Sequence, residues 1–153
     1  MTDLSTTQSN FTTIRTYDAP VARVFQALAN PEEKRKWFAG PPGAREIKRE
    51  MEFREGGRER FWGSLDDGSV LLFDCVYHDI VENERLVCTY VIEIGGKRMS
   101  VNQTSIQLQS EGNGTKLTLI EYNQLLDGFD DAGAIKKGTD ELFDQLGAYL
   151  KEA

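Results

Sequence analysis

Glu121 follows Leu117 and Leu119 at strand spacing, so the three side chains share one face of an extended segment. If that face lines an apolar interior, the carboxylate is poorly solvated and its pKa rises. It could then act as a general acid or base, or anchor a ligand hydroxyl. Strand twist toward water, or an arginine partner, would remove that chemistry. Tyr90 is a further group able to orient a ligand. Gln103 and Tyr122 could do the same or simply satisfy the core. His78 and Asp79 are neighbours, so in a strand they face opposite sides and cannot form a dyad. His78 reads as a half-exposed strand residue, and its pairing with Glu121 or Cys75 does not follow from the sequence.

Cys75 and Cys88 sit in apolar, β-type runs without CxxC spacing, which reads as buried reduced thiols. With one histidine and no Cys/His cluster, no zinc site is expected. Nucleotide-binding and serine-hydrolase motifs are missing, and no cofactor is expected. Trp37 and Phe38 precede Gly40-Pro41-Pro42-Gly43, a loop. Their rings either form a cavity mouth for a flat ligand or pack the short helices on a sheet. Gly56-Gly57 reads as a turn or bulge with positive φ rather than a phosphate cradle. Arg45, Lys48, Arg49, Arg54, Arg58 and Arg60 could form a positive rim for an anionic head group. Interleaved Glu46, Glu50, Glu52, Glu55 and Glu59 nearly cancel them, so a solvated, charge-paired surface is expected.

The elements that must position these groups follow from periodicity. Phe11–Tyr17 is β-branched and aromatic, a strand. Asp18 can cap the next helix, and Pro20 suits its first turn. Val21, Val24, Phe25 and Leu28 mark one helical face. Asn30-Pro31-Glu32-Glu33 restarts a helix that ends near Trp37. Segments 44–53, 58–64, 70–80, 85–94, 98–109 and 115–125 are six candidate strands, separated by short Gly-, Asn- and Asp-rich turns that imply antiparallel hairpins. Met99, Val101 and Gln103 share one parity and Ile106 and Leu108 the other, which predicts a bulge near Thr104 or Ser105. Ile135, Leu142, Phe143, Leu146, Tyr149 and Leu150 form the apolar stripe of a final long helix.

At 153 residues, 39% hydrophobic and 28% charged, the chain suits one globular domain. The net charge of −7 argues against nucleic acid or anionic membrane partners. No apolar run approaches the ~20 residues that span a bilayer, so no integral membrane association is expected. The first ten residues lack the basic and apolar regions of a signal peptide. They read as a flexible end to a domain over 11–153, in a cytoplasmic protein.

Three stretches, with the final helix, carry a family resemblance. They are Tyr17 to Glu32 with Trp37-Phe38, Phe53-Arg54-Glu55-Gly56-Gly57-Arg58 with the Asp67-Gly68 turn, and Tyr77 to Ile80 with Glu84 to Val87 and Thr89. Together with Gly114 to Leu119 and Gly138 to Leu150, this ordered set resembles the AHSA1-like branch of the START/Bet v 1-like (SRPBCC) superfamily. The resemblance implies an α+β helix-grip fold. A curved seven-stranded antiparallel sheet with two short helices would grip the long C-terminal helix around a hydrophobic cavity. Family roles include binding of lipid-, sterol-, flavonoid- or polyketide-like molecules, cyclase or aromatase activity, and stimulation of the Hsp90 ATPase. The chain departs from the pattern in three places. Thr139 stands where a Trp often follows the helix glycine, which should enlarge the cavity. Asp79 replaces a common Glu, and His78 beside it is unusual. The large additional N-terminal domain of the Hsp90 activators has no counterpart here.

The first reading is a module that binds a small hydrophobic ligand. Its expected wall is Trp37, Phe38, Phe53, Trp62, Phe73, Tyr90, Gln103, Leu119, Glu121, Thr139 and Phe143. A one-residue register error would move a strand's whole contribution to the opposite face. The second reading is a cavity enzyme using Glu121 as acid or base, although no nucleophile is evident. The third is a co-chaperone or other protein-interaction role. A homodimer through a sheet edge or the C-terminal helix is compatible with the sequence.

Overall fold

The computed structural model describes residues 4–40, 44–129 and 131–152. The element order is β1 (Thr6–Tyr17), α1 (Val21–Ala29), α2 (Pro31–Trp37), β2 (Arg45–Met51), β3 (Arg58–Ser64), β4 (Val70–Val81), β5 (Arg85–Ile94), β6 (Lys97–Glu111), β7 (Gly114–Leu126) and α3 (Ala132–Glu152). The strands form one seven-stranded sheet in the order β1-β7-β6-β5-β4-β3-β2. Every pairing is antiparallel. The helix-grip architecture inferred from the sequence is therefore the one observed. No described helix is long and apolar enough to cross a membrane.

Several local expectations need correction. β1 starts at Thr6, not Phe11, because Thr6 to Asn10 pair with Leu126 to Tyr122 along the full length of β7. A polar sequence is no bar to a strand whose ladder partner is already in place. Asp18 does not cap α1; Pro20 is the N-cap and no side chain bonds there. Asn30 does cap α2, its Oδ1 accepting from the amides of Glu32 and Glu33 at 2.9 and 3.3 Å. The Pro41-Pro42-Gly43 part of the expected loop lies outside the described residues. The register of β6 with β7 runs unbroken through Thr104 and Ser105, so the expected bulge is absent there. Slips occur instead at Glu46/Lys48, Tyr77/Asp79 and Ile92/Glu93.

The reason for that last difference matters for the interior. Ser100, Asn102 and Thr104 face inward on β6 and are buried, while Val101 and Gln103 face out. A strand read for its apolar residues needed a bulge; the real strand keeps one parity and buries polar side chains. They are tolerated because they are hydrogen-bonded. Among the described residues, no buried side-chain nitrogen or oxygen lacks a partner.

The core sits at one end of α3. Val24, Phe25, Leu28, Leu117, Leu119, Phe143 and Leu146 pack there, with Tyr17 and Trp37. The helix is pinned to β1 by Tyr17, whose hydroxyl donates to the Phe143 carbonyl at 2.8 Å. Thr13 donates to Asp140 at 2.7 Å, and Arg15 to Asp144 at 2.8 Å. Gly147 permits this close approach, since a Cβ there would lie 3.2 Å from the Tyr17 ring. The N-terminal half of α3, from Ile135 to Phe143, stands off the sheet over β3 to β7, and that gap is the cavity.

Candidate functional site

The cavity measures about 330 Å³. Its roof is one face of α3, from Ile135 through Gly138, Thr139 and Leu142 to Phe143. Trp37 and Phe38 close one side. The floor is the inward face of five strands, and alternation decides which residues reach it. Glu59 and Phe61 come from β3, and Phe73, Cys75 and Tyr77 from β4. β5 supplies Leu86, Cys88, Tyr90 and Ile92, β6 Thr104 and Ile106, and β7 Leu119 and Glu121. A Cβ added at Gly138 would meet nothing within 4 Å, so the helix roof stands over open space.

The walls are mainly apolar and aromatic. The ring of Phe73 lies 5.2 Å from that of Phe38 and 4.9 Å from that of Tyr90. Trp37 sits 5.8 Å from both Phe38 and Phe143. Its indole donates to the Ala27 carbonyl at 2.9 Å, which fixes the ring plane. Arg49 reaches up from β2 to donate to the Phe38 carbonyl at 2.5 Å and so holds the end of α2. This arginine is buried (side chain 7% exposed), a correction to the solvated surface expected of its neighbours. Glu59 is a second correction, buried in the cavity wall, whereas Lys48–Glu50 at 3.3 Å, Arg54–Glu52 at 3.0 Å and Arg58–Asp74 at 3.6 Å are paired as expected.

Two buried carboxylates interrupt the apolar wall. Glu121 is 2% exposed. Its Oε2 accepts from the Tyr90 hydroxyl at 2.7 Å and from Asn123 Nδ2 at 2.8 Å, and its Oε1 accepts from Thr104 at 2.8 Å. Asn123 is oriented in turn by Ser9, which donates to its Oδ1, and by donating to Asn102. Burial holds the Glu121 carboxyl above the usual carboxylate range, against the pull of these three donors. Burial, followed by the adjacent Glu121 charge, lifts the Tyr90 hydroxyl well above the ordinary phenol range.

The second carboxylate, Glu59, is 1% exposed. Lys34 Nζ meets its Oε1 at 2.6 Å, and the Tyr77 hydroxyl donates to the same oxygen. The Lys34 ammonium also sits 4.6 Å from the centre of the Phe38 ring. Burial, then the Glu59 charge, raises the Tyr77 hydroxyl. Cys75 and Cys88 are free cysteines between the two carboxylates; Cys75 is buried as expected, whereas Cys88 is only half-buried. A hydrogen bond with Cys88, then burial, raises the Cys75 thiol, which makes it a poor nucleophile.

Of the residues expected to line the cavity, Trp37, Phe38, Phe73, Tyr90, Leu119, Glu121, Thr139 and Phe143 do so. Three do not. Phe53 lies outside the wall, between Phe25 at 5.8 Å and Tyr77 at 4.9 Å. Trp62 points to the outer face under Lys48, 5.2 Å away, because β3 turns Glu59 and Phe61 inward. Burying Trp62 would bury Arg58 and Arg60 at the same parity, a signal present in the sequence. Gln103 faces out because Asn102 and Thr104 face in. Tyr122 shares that outer face, 58% exposed, and orients nothing in the cavity. His78 is exposed too, its Nε2 2.8 Å from Thr89 Oγ1, so it forms no acid–base pair with Glu121.

Glu59, Lys34, Tyr77, Thr104 and Asn123 were not legible as site residues. Lys34 belongs to a charged helix, Glu59 to an alternating Arg/Glu run, and the others needed strand register.

The raised carboxyl has a thermodynamic consequence. A carboxyl whose folded pKa exceeds its unfolded value contributes stability below the unfolded pKa and loses it as pH rises through the folded one. Glu121→Gln has no such group. Relative to wild type, the variant should therefore gain stability over the pH range above about 4 in urea unfolding series. A difference that stays flat across that range would show Glu121 to be ordinarily solvated.

A family model described as Activator of Hsp90 ATPase homolog 1-like protein matches residues 18–151. A solved structure from Rhizobium leguminosarum is 35% identical, covering 99% of this chain and 100% of that one, with a TM-score of 0.95. The Mll3558 protein of Rhizobium loti is 34% identical over 95% of this chain and 99% of that one, with a TM-score of 0.88. A protein from Arthrobacter aurescens, at 20% identity over 94% and 87% of the two chains, shares the fold with a TM-score of 0.76. No functionally curated protein matches the sequence.

Proposed function

Since the chain belongs to the Activator of Hsp90 ATPase homolog 1-like family, whose helix-grip fold it adopts, we propose that it binds a small, largely apolar molecule in the α3 cavity. The observation that carries this reading is the cavity itself. It pairs aromatic walls with a few convergent, hydrogen-bonded polar groups, the usual composition of a small-molecule site. Apolar burial supplies the affinity, and Glu121 with Tyr90 sets the orientation of the ligand's polar group. Sterol-, fatty-acid-, flavonoid- and polyketide-like bodies suit such walls. Among the described residues Glu121 is bonded by Tyr90, Thr104 and Asn123, an arrangement that anchors a polar group rather than pairing an acid with a base. In the same reading the protein acts in the cytoplasm, with its ligand as its main partner.

The test is a thermal-shift screen against sterols, fatty acids, flavonoids and polycyclic aromatics, on wild type and Thr139→Trp. Thr139 faces the cavity from α3, and an indole there would project into it. A ligand at ~100 times its Kd adds about 2.7 kcal/mol, which raises the Tm of a domain this size by roughly 5–10 °C. The expected result is a saturable shift in wild type that Thr139→Trp abolishes. A shift that survives the indole places the ligand elsewhere. No shift with any class, with Thr139→Trp still able to bind a partner protein, would favour a co-chaperone-like surface role for the domain.

A further inference from the structure

The two buried carboxylates of the cavity differ in one respect. Glu59 has its own cation, since Lys34 Nζ stands 2.6 Å away. Glu121 has none: among the described residues its partners are a phenol, an alcohol and a carboxamide, and no ion pair includes it. An ionised carboxylate in such a place carries an uncompensated charge, which is costly unless a counter-ion arrives.

The hydrogen-bonding capacity of Glu121 also leaves a position open. A carboxylate accepts about four hydrogen bonds. Among the described residues Glu121 accepts three: two at Oε2 and one at Oε1. The unused site is therefore on Oε1. The cavity wall beside Glu121 is aromatic: the Tyr90 hydroxyl bonds its Oε2, and the Phe73 ring lies tilted 4.9 Å from that of Tyr90. An aromatic wall beside a carboxylate suits a positive charge, which gains from both. The chain's net charge of −7 draws cations toward the protein as well.

Resting on the ligand-binding reading above, we infer that the ligand is an amine: a protonated primary or secondary ammonium on an apolar, ring-containing body, its N–H donated to Glu121 Oε1. A hydroxyl would fill the same hydrogen-bonding position but leave the charge uncompensated. A carboxylate ligand would face Glu121 with like charge. Lys34 does not alter this, because its ammonium is already committed to Glu59 and the Phe38 ring.

The test compares three probes that share one body and differ only in the terminal group: naphthylethylamine, naphthylethanol and naphthylacetate. Their affinities for the wild-type protein are measured by isothermal titration calorimetry at neutral pH and fixed salt. The amine should bind at least about tenfold more tightly than the alcohol, with the acid weakest. Glu121→Gln should bring the amine and alcohol to within about threefold of each other. The wild-type series needs no variant to fold. Binding of the alcohol or acid as tight as the amine overturns this inference and leaves the cavity-binding reading standing. A preference for the amine that persists in Glu121→Gln also overturns it, assigning the effect to the chain's overall charge or to Glu59. Failure of all three probes to bind counts against both readings.

Discussion

Lys34→Met should lower the unfolding free energy by about 3–5 kcal/mol, the loss expected when one member of a buried ion pair is removed. Most exposed ion pairs are worth under about 1 kcal/mol, because water already solvates both charges. This pair is not exposed: the Lys34 side chain is 12% accessible and that of Glu59 2%. Without the ammonium, Glu59 keeps only the Tyr77 hydroxyl and must stay charged in an apolar wall or take up a proton. The double variant Lys34→Met/Glu59→Gln removes the stranded charge while keeping an acceptor for Tyr77. It should recover most of the loss. Urea unfolding of the three proteins at neutral pH decides the matter. A single-variant cost below about 1 kcal/mol would mean that water reaches the pair.

Leu146→Ala should cost about 3–5 kcal/mol, the range for a large-to-small change where the surroundings cannot close over the gap. Leu146, on α3, is fully buried (0% exposed) and packs within the core shared by Tyr17, Leu117 and Phe143. Those neighbours cannot move inward freely, because Tyr17 is tied to the Phe143 carbonyl and its ring lies against the Gly147 backbone. Ile120→Ala, on the outer face and 37% exposed, is the control and should cost under about 1 kcal/mol. Similar losses for the two variants would mean that α3 is loosely seated and that the cavity roof is not held rigidly.

Much of the architecture could be read from the residues because local signals agreed with the global fold. The apolar stripe from Ile135 to Leu150 specified a long amphipathic helix, and the structure has it at Ala132–Glu152. The Gly- and Asn-rich separators specified hairpins, and β2 to β7 form an antiparallel meander. The pairing of β1 with β7 was not legible from spacing, since the two strands lie about a hundred residues apart and their contact depends on sheet closure. The extension of β1 back to Thr6 was missed for the same reason: those polar residues are strand only because β7 runs beside them.

The site divides along a similar line. Glu121 was identifiable because Leu117, Leu119 and Glu121 alternate with no conflicting parity, so a buried face for the leucines meant a buried carboxylate. β3 and β6 offered no such agreement. Each mixes polar and apolar residues at both parities. Trp62 and Gln103 were therefore assigned inward, while Glu59, Asn102 and Thr104 take those places. A strand read alone is judged by hydrophobicity, which penalises burying Glu59 or Asn102. That penalty vanishes only when Lys34, Tyr77, Tyr90 and Asn123 arrive from other elements to bond them. The residues by themselves determined the family, through an ordered set of motifs, and the order of elements and one buried carboxylate, through spacing along the chain. Which polar groups face the cavity, and which of its two acids has a cation, was decided only when strands distant in sequence were brought into register.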